Sequence, residues 1–353
     1  MIETKARLAP TRDEIIRQAL YDLGSLRHLR FHEIKPLLVL HEALSYGHLM
    51  EDHSRELDGM IVKPVSCEDF FLDYRVWMSP PKHADDTDTE EAPTPHDLLD
   101  EADTHVREIA IYSILLHDIL TCDVASLLDK NRLLRSFHGL GIYPDPRALG
   151  VQIEEYREAK WSLMPIPLMN VFWRQQRAYK HHDYSALIAH LLLHATYRLV
   201  RPNEPPLLFA TTLHLFSDDP TWNRHEDAIE MEWNAFALRW LARAASLTEL
   251  NVDRLGREHD LLRNKVQNMR PKRRHANALF KLLVSDPVIN SDYVARQLGI
   301  PQTKSTYNLI YDFEKAGIIR KTSRDKVFRR YHIPAFSQRF DRGEVRCDVD
   351  ELE

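Results

Sequence analysis

Five polar residues lie at the front of a helix predicted near the end of the chain: Gln302, Thr303, Lys304, Ser305 and Asn308. Amide, hydroxyl and ammonium groups of this kind can hydrogen-bond to base edges in the major groove of DNA. In helix-turn-helix proteins, the front end of a helix makes such contacts. The pattern therefore predicts that these five residues read bases.

Basic residues flank this helix on both sides and could bind phosphate. Seven of them are predicted to contact the DNA backbone or the minor groove: Lys272, Arg273, Arg274, Arg324, Lys326, Arg329 and Arg330. Residues 261–340 carry 17 Lys or Arg against 5 Asp or Glu, a net charge of +12, whereas the whole chain has a net charge of −6. Positive charge is thus concentrated where phosphate contacts would require it.

Three short helices and two strands must position these residues. The helices are predicted at Ala276–Ser285, Ser291–Leu298 and 302–316, and two strands follow around a basic turn at 321–326. Asn290 or Ser291 supplies a capping oxygen, Gly299 suits a left-handed cap, and Pro301 suits the first turn of the next helix. This order predicts a winged helix-turn-helix that binds double-stranded DNA, with a protein-docking module or an inert appendage as the alternative.

Two histidines, His190 and His194, stand four residues apart on one face of a predicted helix. This spacing can hold a metal ion, but no cysteine or acidic residue lies nearby in sequence to complete a site. We therefore predict core or rim histidines, with no metal and no catalytic residue. The three cysteines have no CxxC spacing, and the Gly-Leu-Gly at 139–141 lacks the pattern of a nucleotide-binding loop, so no cofactor is predicted.

The rest of the chain is predicted to be mainly α-helical. Only 10 of the 353 residues are glycine, and apolar residues recur at helical spacing. Helices are predicted at 11–23, 33–48, 97–120, 124–137, 151–159, 167–179, 184–200, 205–216, 224–248 and 251–269. No apolar run approaches the ~18 residues needed to cross a bilayer, and the first residues do not form a signal peptide. The expectation is a cytoplasmic protein without membrane contact.

Residues 54–59 read Ser-Arg-Glu-Leu-Asp-Gly, and residues 105–139 contain two predicted helices. In the order of these segments the chain resembles a diverged Fic-type protein, whose active relatives transfer AMP from ATP to a protein hydroxyl. Residues 54–59 resemble the family's inhibitory helix, with Asp58 in place of glutamate, and 105–139 resemble the helices before the catalytic core. Residues 183–216 occupy the place of the central helix-loop-helix, and a winged helix follows where such proteins often have one. The resemblance implies a Fic-like helical body. The chain also resembles uncharacterised, often plasmid-borne bacterial proteins that end in a similar helix-turn-helix.

The catalytic signature of that family is missing. Active members carry a histidine general base followed by a glycine-rich turn that presents backbone N–H groups to phosphate. Residues 194–206 begin with His194 but contain three prolines and no glycine. Because such a turn has fewer backbone donors and cannot adopt the same positive-φ conformations, AMP transfer is not expected.

These observations predict a non-enzymatic, sequence-specific DNA-binding protein that acts in transcription or in maintenance of a mobile element. It is expected to form a homodimer, and its body is expected to dimerise or sense a second protein. The alternatives are a Fic-like nucleotidyl transferase or toxin-like effector with an autoregulatory winged helix, and a protein-interaction adaptor. The predicted domains are an N-terminal helical region (1–78), a disordered acidic, proline-rich loop (79–96), the Fic-like body (97–250), a helical linker (251–272), the winged helix-turn-helix (273–340) and an acidic tail (341–353).

Overall fold

The computed structural model describes residues 24–58, 104–158, 185–215, 230–269, 274–285, 288–301, 304–321 and 331–334. Within these residues the protein is mainly helical, as the scarcity of glycine and the helical spacing of apolar residues predicted. Among the described residues, seven α-helices come first: α1 (Lys35–Asp58), α2 (Thr104–Thr121), α3 (Lys130–His138), α4 (Pro146–Glu158), α5 (Ser185–Val200), α6 (Phe209–Leu215) and α7 (Glu230–Asn268). Each helix of the described residues is too short or too polar to cross a membrane.

A carboxy-terminal unit follows these seven helices. It consists of α8 (Ala276–Ser285), β1 (Val288–Ile289), α9 (Ser291–Leu298), α10 (Lys304–Lys315), β2 (Arg320–Lys321) and β3 (Tyr331–His332). The strands form one antiparallel sheet in the order β1-β3-β2. In the register, His332 lies opposite both Val288 and Arg320. Apolar residues of all three helices pack together in one core, in which Leu279, Leu283 and Phe313 are fully buried.

Helices α1, α2, α5 and α6 and the first part of α7 pack into the body. Its core contains two stacked aromatic pairs, and such pairs add stability beyond the area that they bury. The ring centroids of Tyr46 and Tyr112 lie 4.3 Å apart, and those of Phe209 and Trp240 lie 5.3 Å apart. These pairs join α1 to α2 and α6 to α7.

Helices α1 and α2 approach each other closely at Gly47. A Cβ atom at this position would lie 2.4 Å from the Cδ1 atom of Ile109 on α2. We expect Gly47→Val to lower the free energy of unfolding by about 1–3 kcal/mol, because the added methyl groups overpack the interface. Urea denaturation measures this change. The double variant Gly47→Val/Ile109→Ala should lose less unfolding free energy than the sum of the losses of the two single variants. Additive losses would show that Ile109 is not the group that the valine side chain displaces.

Helix α7 links the body to the carboxy-terminal unit. Its 39 residues span about 58 Å at 1.5 Å per residue. Trp240 and Leu241 pack in the body core, whereas Val252 and Leu255 pack in the core of the carboxy-terminal unit. The two cores therefore share α7, and they also share α1.

Helix α7 is unbroken where the sequence predicts two separate helices. The predicted break lies between 248 and 251, where polar Thr248 and Asn251 interrupt the apolar pattern. In the structure both side chains bond inside the helix, Thr248 Oγ1 to the Ala244 carbonyl at 2.7 Å and Asn251 Nδ2 to the Leu247 carbonyl at 2.8 Å. Because each polar group is satisfied four residues back, neither one ends the helix. The domain boundaries at 250 and 272 stay predictions.

Other helix boundaries differ from the predicted ones at a cap or a proline. The helix predicted over 124–137 is a 3-10 turn at Val124–Ser126 followed by α3, because Asp129 caps α3 by accepting from the Arg132 N–H at 2.6 Å. Helix α6 begins at Phe209 rather than at 205, after two prolines. The helices predicted at 11–23 and 167–179, the loop 79–96 and the tail 341–353 lie outside the described residues.

Candidate nucleic-acid interface

The turn between α9 and α10 has the capping geometry that its sequence predicts. Asn290 Oδ1 accepts from the Tyr293 N–H at 2.8 Å at the start of α9. At its end, Gly299 adopts a left-handed conformation with φ 59° and ψ 34°. The Ile300 N–H donates to the Ala295 carbonyl at 2.9 Å, which completes a Schellman motif. These bonds fix the direction in which the chain leaves α9.

A buried side-chain hydrogen bond connects the first turn of α10 to the turn that precedes it. The buried Thr306 hydroxyl donates to the Pro301 carbonyl at 2.9 Å. Thr306 shares the inner face of α10 with Leu309, Ile310 and Phe313, all buried. This inner face packs in the core of the carboxy-terminal unit and leaves the opposite face of α10 exposed.

Gly299 is required by its backbone rather than by its surroundings, because no atom lies within 4 Å of the position that a Cβ atom would occupy. We expect Gly299→Ala to lower the free energy of unfolding by about 1–2 kcal/mol, and Gly299→Asn to cost less. Gly256, inside α7, also has open space around its Cβ position, so Gly256→Ala should instead stabilise the protein by about 0.5–1 kcal/mol. Thermal denaturation of the variants compares the two positions. Equal effects at both glycines would contradict this account.

Four residues form the centre of the outer face of α10. With 3.6 residues per turn, Lys304, Asn308, Tyr311 and Lys315 follow one another along a single line opposite the buried residues. We refer to these four residues as the outward stripe. Lys304, Tyr311 and Lys315 are exposed and Asn308 is half-buried.

The residues predicted to read bases fall partly on this stripe. Lys304 and Asn308 belong to it, and exposed Ser305 lies at its flank. Gln302 and Thr303 lie outside the described residues. Tyr311 and Lys315, farther along the same face, were not predicted, because the prediction used only polar groups at the front of the helix. Tyr311 is 59% exposed, and its i+7 spacing from Lys304 is the signal that could have identified it.

One of the seven residues predicted to bind phosphate is described: Arg274 is exposed, immediately before α8. The other six, Lys272, Arg273, Arg324, Lys326, Arg329 and Arg330, lie outside the described residues. Additional exposed cations are Lys281, Arg296 and Arg320. Among the described residues from 274 onward, seven Lys or Arg stand against three Asp or Glu. The described residues of the carboxy-terminal unit therefore carry a net positive charge.

A second polar cluster lies inside the body and centres on Glu42, which is only 1% exposed. Its Oε1 atom accepts from the Ala210 N–H at 2.6 Å, and its Oε2 atom accepts from the Thr211 N–H at 3.2 Å and from the Thr211 hydroxyl at 3.0 Å. The Nε2 atom of His194 lies 3.2 Å from Glu42 Oε1 and 3.1 Å from the Tyr112 hydroxyl. Glu42 thus fastens α1 to the start of α6 and to α5.

Three histidines of the body, His41, His190 and His194, lie within its core. His190 and His194 are each 1% exposed, and no group of three or more potential ligands for a metal ion occurs among the described residues. His41 Nδ1 lies 3.1 Å from the Thr211 hydroxyl. Burial lowers the pKa of His41 to about 4, although nearby Glu42 opposes the shift, so the ring is neutral near pH 7.

The position of His194 bears on the enzyme alternative. A general base must come within hydrogen-bonding distance of the proton that it removes. The His194 ring instead lies between Glu42, Tyr112 and Phe209 in the core, its centroid 5.0 Å from that of Phe209. This arrangement offers no support for AMP transfer at His194. The resemblance to Fic-type proteins stays a prediction.

No protein-family model matches the chain, and a comparison with curated protein sequences gives no significant match.

Proposed function

We propose that this chain is a sequence-specific DNA-binding protein whose carboxy-terminal unit is a winged helix-turn-helix. The observation that carries the proposal is the outward stripe of α10. It projects lysine, amide and phenol groups away from a packed core and follows a capped turn from α9. A helix supported in this way fits the major groove and presents its side chains to base edges.

The sheet and its connections extend the proposed interface. Strands β2 and β3 pair antiparallel, and Lys321 lies opposite Tyr331. We propose that residues 322–330, which connect the two strands in sequence, form the wing and that Arg324, Lys326, Arg329 and Arg330 bind phosphate or the minor groove. Exposed Arg274 would add a contact beside α8.

The body has a different role in this proposal. The carboxy-terminal unit shares α7 with the body, so any change in the body that moves α7 also moves α10. We propose that the body pairs two copies or senses a partner protein. Two units on a palindromic site would double the contacts with DNA. Regulation of transcription and maintenance of a mobile element are both compatible with such a protein.

The proposal is tested by removing charge from the outward stripe. Fluorescence anisotropy would measure the affinity of the full chain for duplex DNA from upstream of its own gene at several salt concentrations. We expect Lys304→Ala/Lys315→Ala to weaken binding and to reduce the slope of log affinity against log salt by about 1.8, since each lost phosphate contact removes about 0.9.

The matched control is Lys130→Ala/Arg147→Ala, which removes two exposed cations from α3 and α4 of the body. This variant should retain the wild-type salt slope. Equal slopes for both double variants, or no binding by the wild-type chain at low salt, would refute the proposed interface.

A further inference from the structure

Two side chains of the outward stripe can distinguish one base pair from another. Asn308 carries an amide that both donates and accepts a hydrogen bond, and Tyr311 carries an aromatic ring with 59% of its surface exposed. Among the described residues, neither side chain has a hydrogen-bond or ion-pair partner. Both groups therefore stay available to a ligand of α10.

The rise between the two residues along α10 is somewhat larger than the rise between successive base pairs. Three residues of α-helix rise about 4.5 Å. Successive base pairs of DNA are about 3.4 Å apart. Because Asn308 and Tyr311 lie on the same line of α10, a helix placed in the major groove brings them to neighbouring base pairs. Lys304 and Lys315, at the two ends of the line, then lie toward the phosphates on either side.

The chemistry of the two groups favours adenine and thymine. Adenine presents the N7 acceptor and the N6 amino donor in the major groove, and an asparagine amide can bond to both. Guanine presents two acceptors there, which would leave the amide oxygen of Asn308 without a donor. Thymine presents a C5 methyl group, against which an exposed aromatic ring can pack.

We propose that the outward stripe selects A·T pairs, with Asn308 bonded to an adenine and Tyr311 packed against the thymine methyl of a neighbouring pair. This inference rests on the proposed DNA-binding function, which it extends to the class of site. Lys304, which the sequence pattern predicted to read bases, here binds phosphate instead, so Lys304 and Lys315 supply affinity without distinguishing sequences.

The experiment begins with selection of binding sites from random-sequence duplexes by the full chain. In the selected site, single adenines are then replaced by 7-deazaadenine, which lacks the N7 acceptor, and single thymines by uracil, which lacks the methyl group. At one position each, we expect the wild-type chain to lose affinity by roughly 5- to 150-fold with 7-deazaadenine. We expect a smaller loss with uracil. Asn308→Ala should be insensitive to the first replacement, and Tyr311→Ala to the second.

The outcomes separate this inference from the proposed function. Lys315→Ala is the control, because it should weaken binding to all duplexes alike and keep both base sensitivities. Selected sites without a shared A·T step, or equal losses for wild-type chain and Asn308→Ala, would overturn the inference while leaving DNA binding intact. Failure to select any duplex at low salt would overturn both.

Discussion

Glu42→Ala is expected to lower the free energy of unfolding by about 3–5 kcal/mol, because several buried donors lose their acceptor at once. The Ala210 N–H, the Thr211 N–H and the Thr211 hydroxyl would lose their acceptor inside the body. A buried donor without a partner costs about 1–3 kcal/mol. Equilibrium denaturation with urea, followed by circular dichroism, measures the change.

Two controls identify the cause of that loss. Glu158 is exposed at the end of α4, so Glu158→Ala should change the free energy of unfolding by no more than about 0.5 kcal/mol. Glu42→Gln keeps one acceptor oxygen and should fall between the alanine variant and the wild type. If Glu42→Ala is as stable as Glu158→Ala, the Glu42 cluster does not hold α1, α5 and α6 together.

The second large effect is expected at Phe313. Its side chain is fully buried in the core of the carboxy-terminal unit, so Phe313→Ala should cost about 3–5 kcal/mol in the unfolding of that unit. Tyr311 is two residues earlier on the opposite face of α10. Tyr311→Ala should change stability by no more than about 0.5 kcal/mol. Hydrogen exchange of the backbone amides of α8–α10 follows this unit separately from the body.

The same pair of variants should affect DNA binding in different ways. Phe313→Ala should lose DNA binding as the unit unfolds, whereas Tyr311→Ala should weaken binding while α8–α10 keep their protection from exchange. Full protection of α10 in Phe313→Ala would show that its inner face does not support the helix. If the α10 amides lose protection from hydrogen exchange in Tyr311→Ala, the outward stripe also supports the fold, which this account does not expect.

Local signals made the carboxy-terminal unit the most predictable part of the chain. The bounds of α8 and α9 agree with those predicted. Helix α9 begins after the N-cap residue Asn290 and ends before Gly299, which adopts a left-handed conformation. Strand β1, by contrast, was not predicted. Val288–Ile289 has only two residues, too few for an alternating pattern, and it pairs with residues more than 40 positions later in the chain.

The Glu42 cluster could not be predicted from sequence, because it joins residues that are 152 to 169 positions apart. A glutamate within a helix is normally a solvent-exposed residue, and its burial depends on donors supplied by α5 and α6. His194 was correctly predicted to be a core or rim histidine, but the apolar positions around it do not reveal its neighbours Glu42 and Tyr112.

The candidate interface was only partly predictable for a related reason. Lys304 and Asn308 were chosen from residue type and position in the helix, and both fall on the outward stripe. Tyr311 is aromatic, and aromatic residues in a helix often lie in the core. Its position away from the core is shown by the burial of the opposite face, which carries Thr306, Leu309, Ile310 and Phe313. To predict which face of a helix is exposed therefore requires the positions of the helices packed against it as well as the spacing of its apolar residues.

The most direct test of the central claim is a comparison of two duplexes at two salt concentrations. The affinity of the full wild-type chain would be measured for DNA from upstream of its own gene and for a scrambled duplex of the same length, at about 50 and 200 mM salt. DNA binding through base and phosphate contacts predicts tighter binding to the upstream duplex at both concentrations, with affinities for both duplexes falling as salt rises. Absence of binding to either duplex at about 50 mM salt would contradict the account.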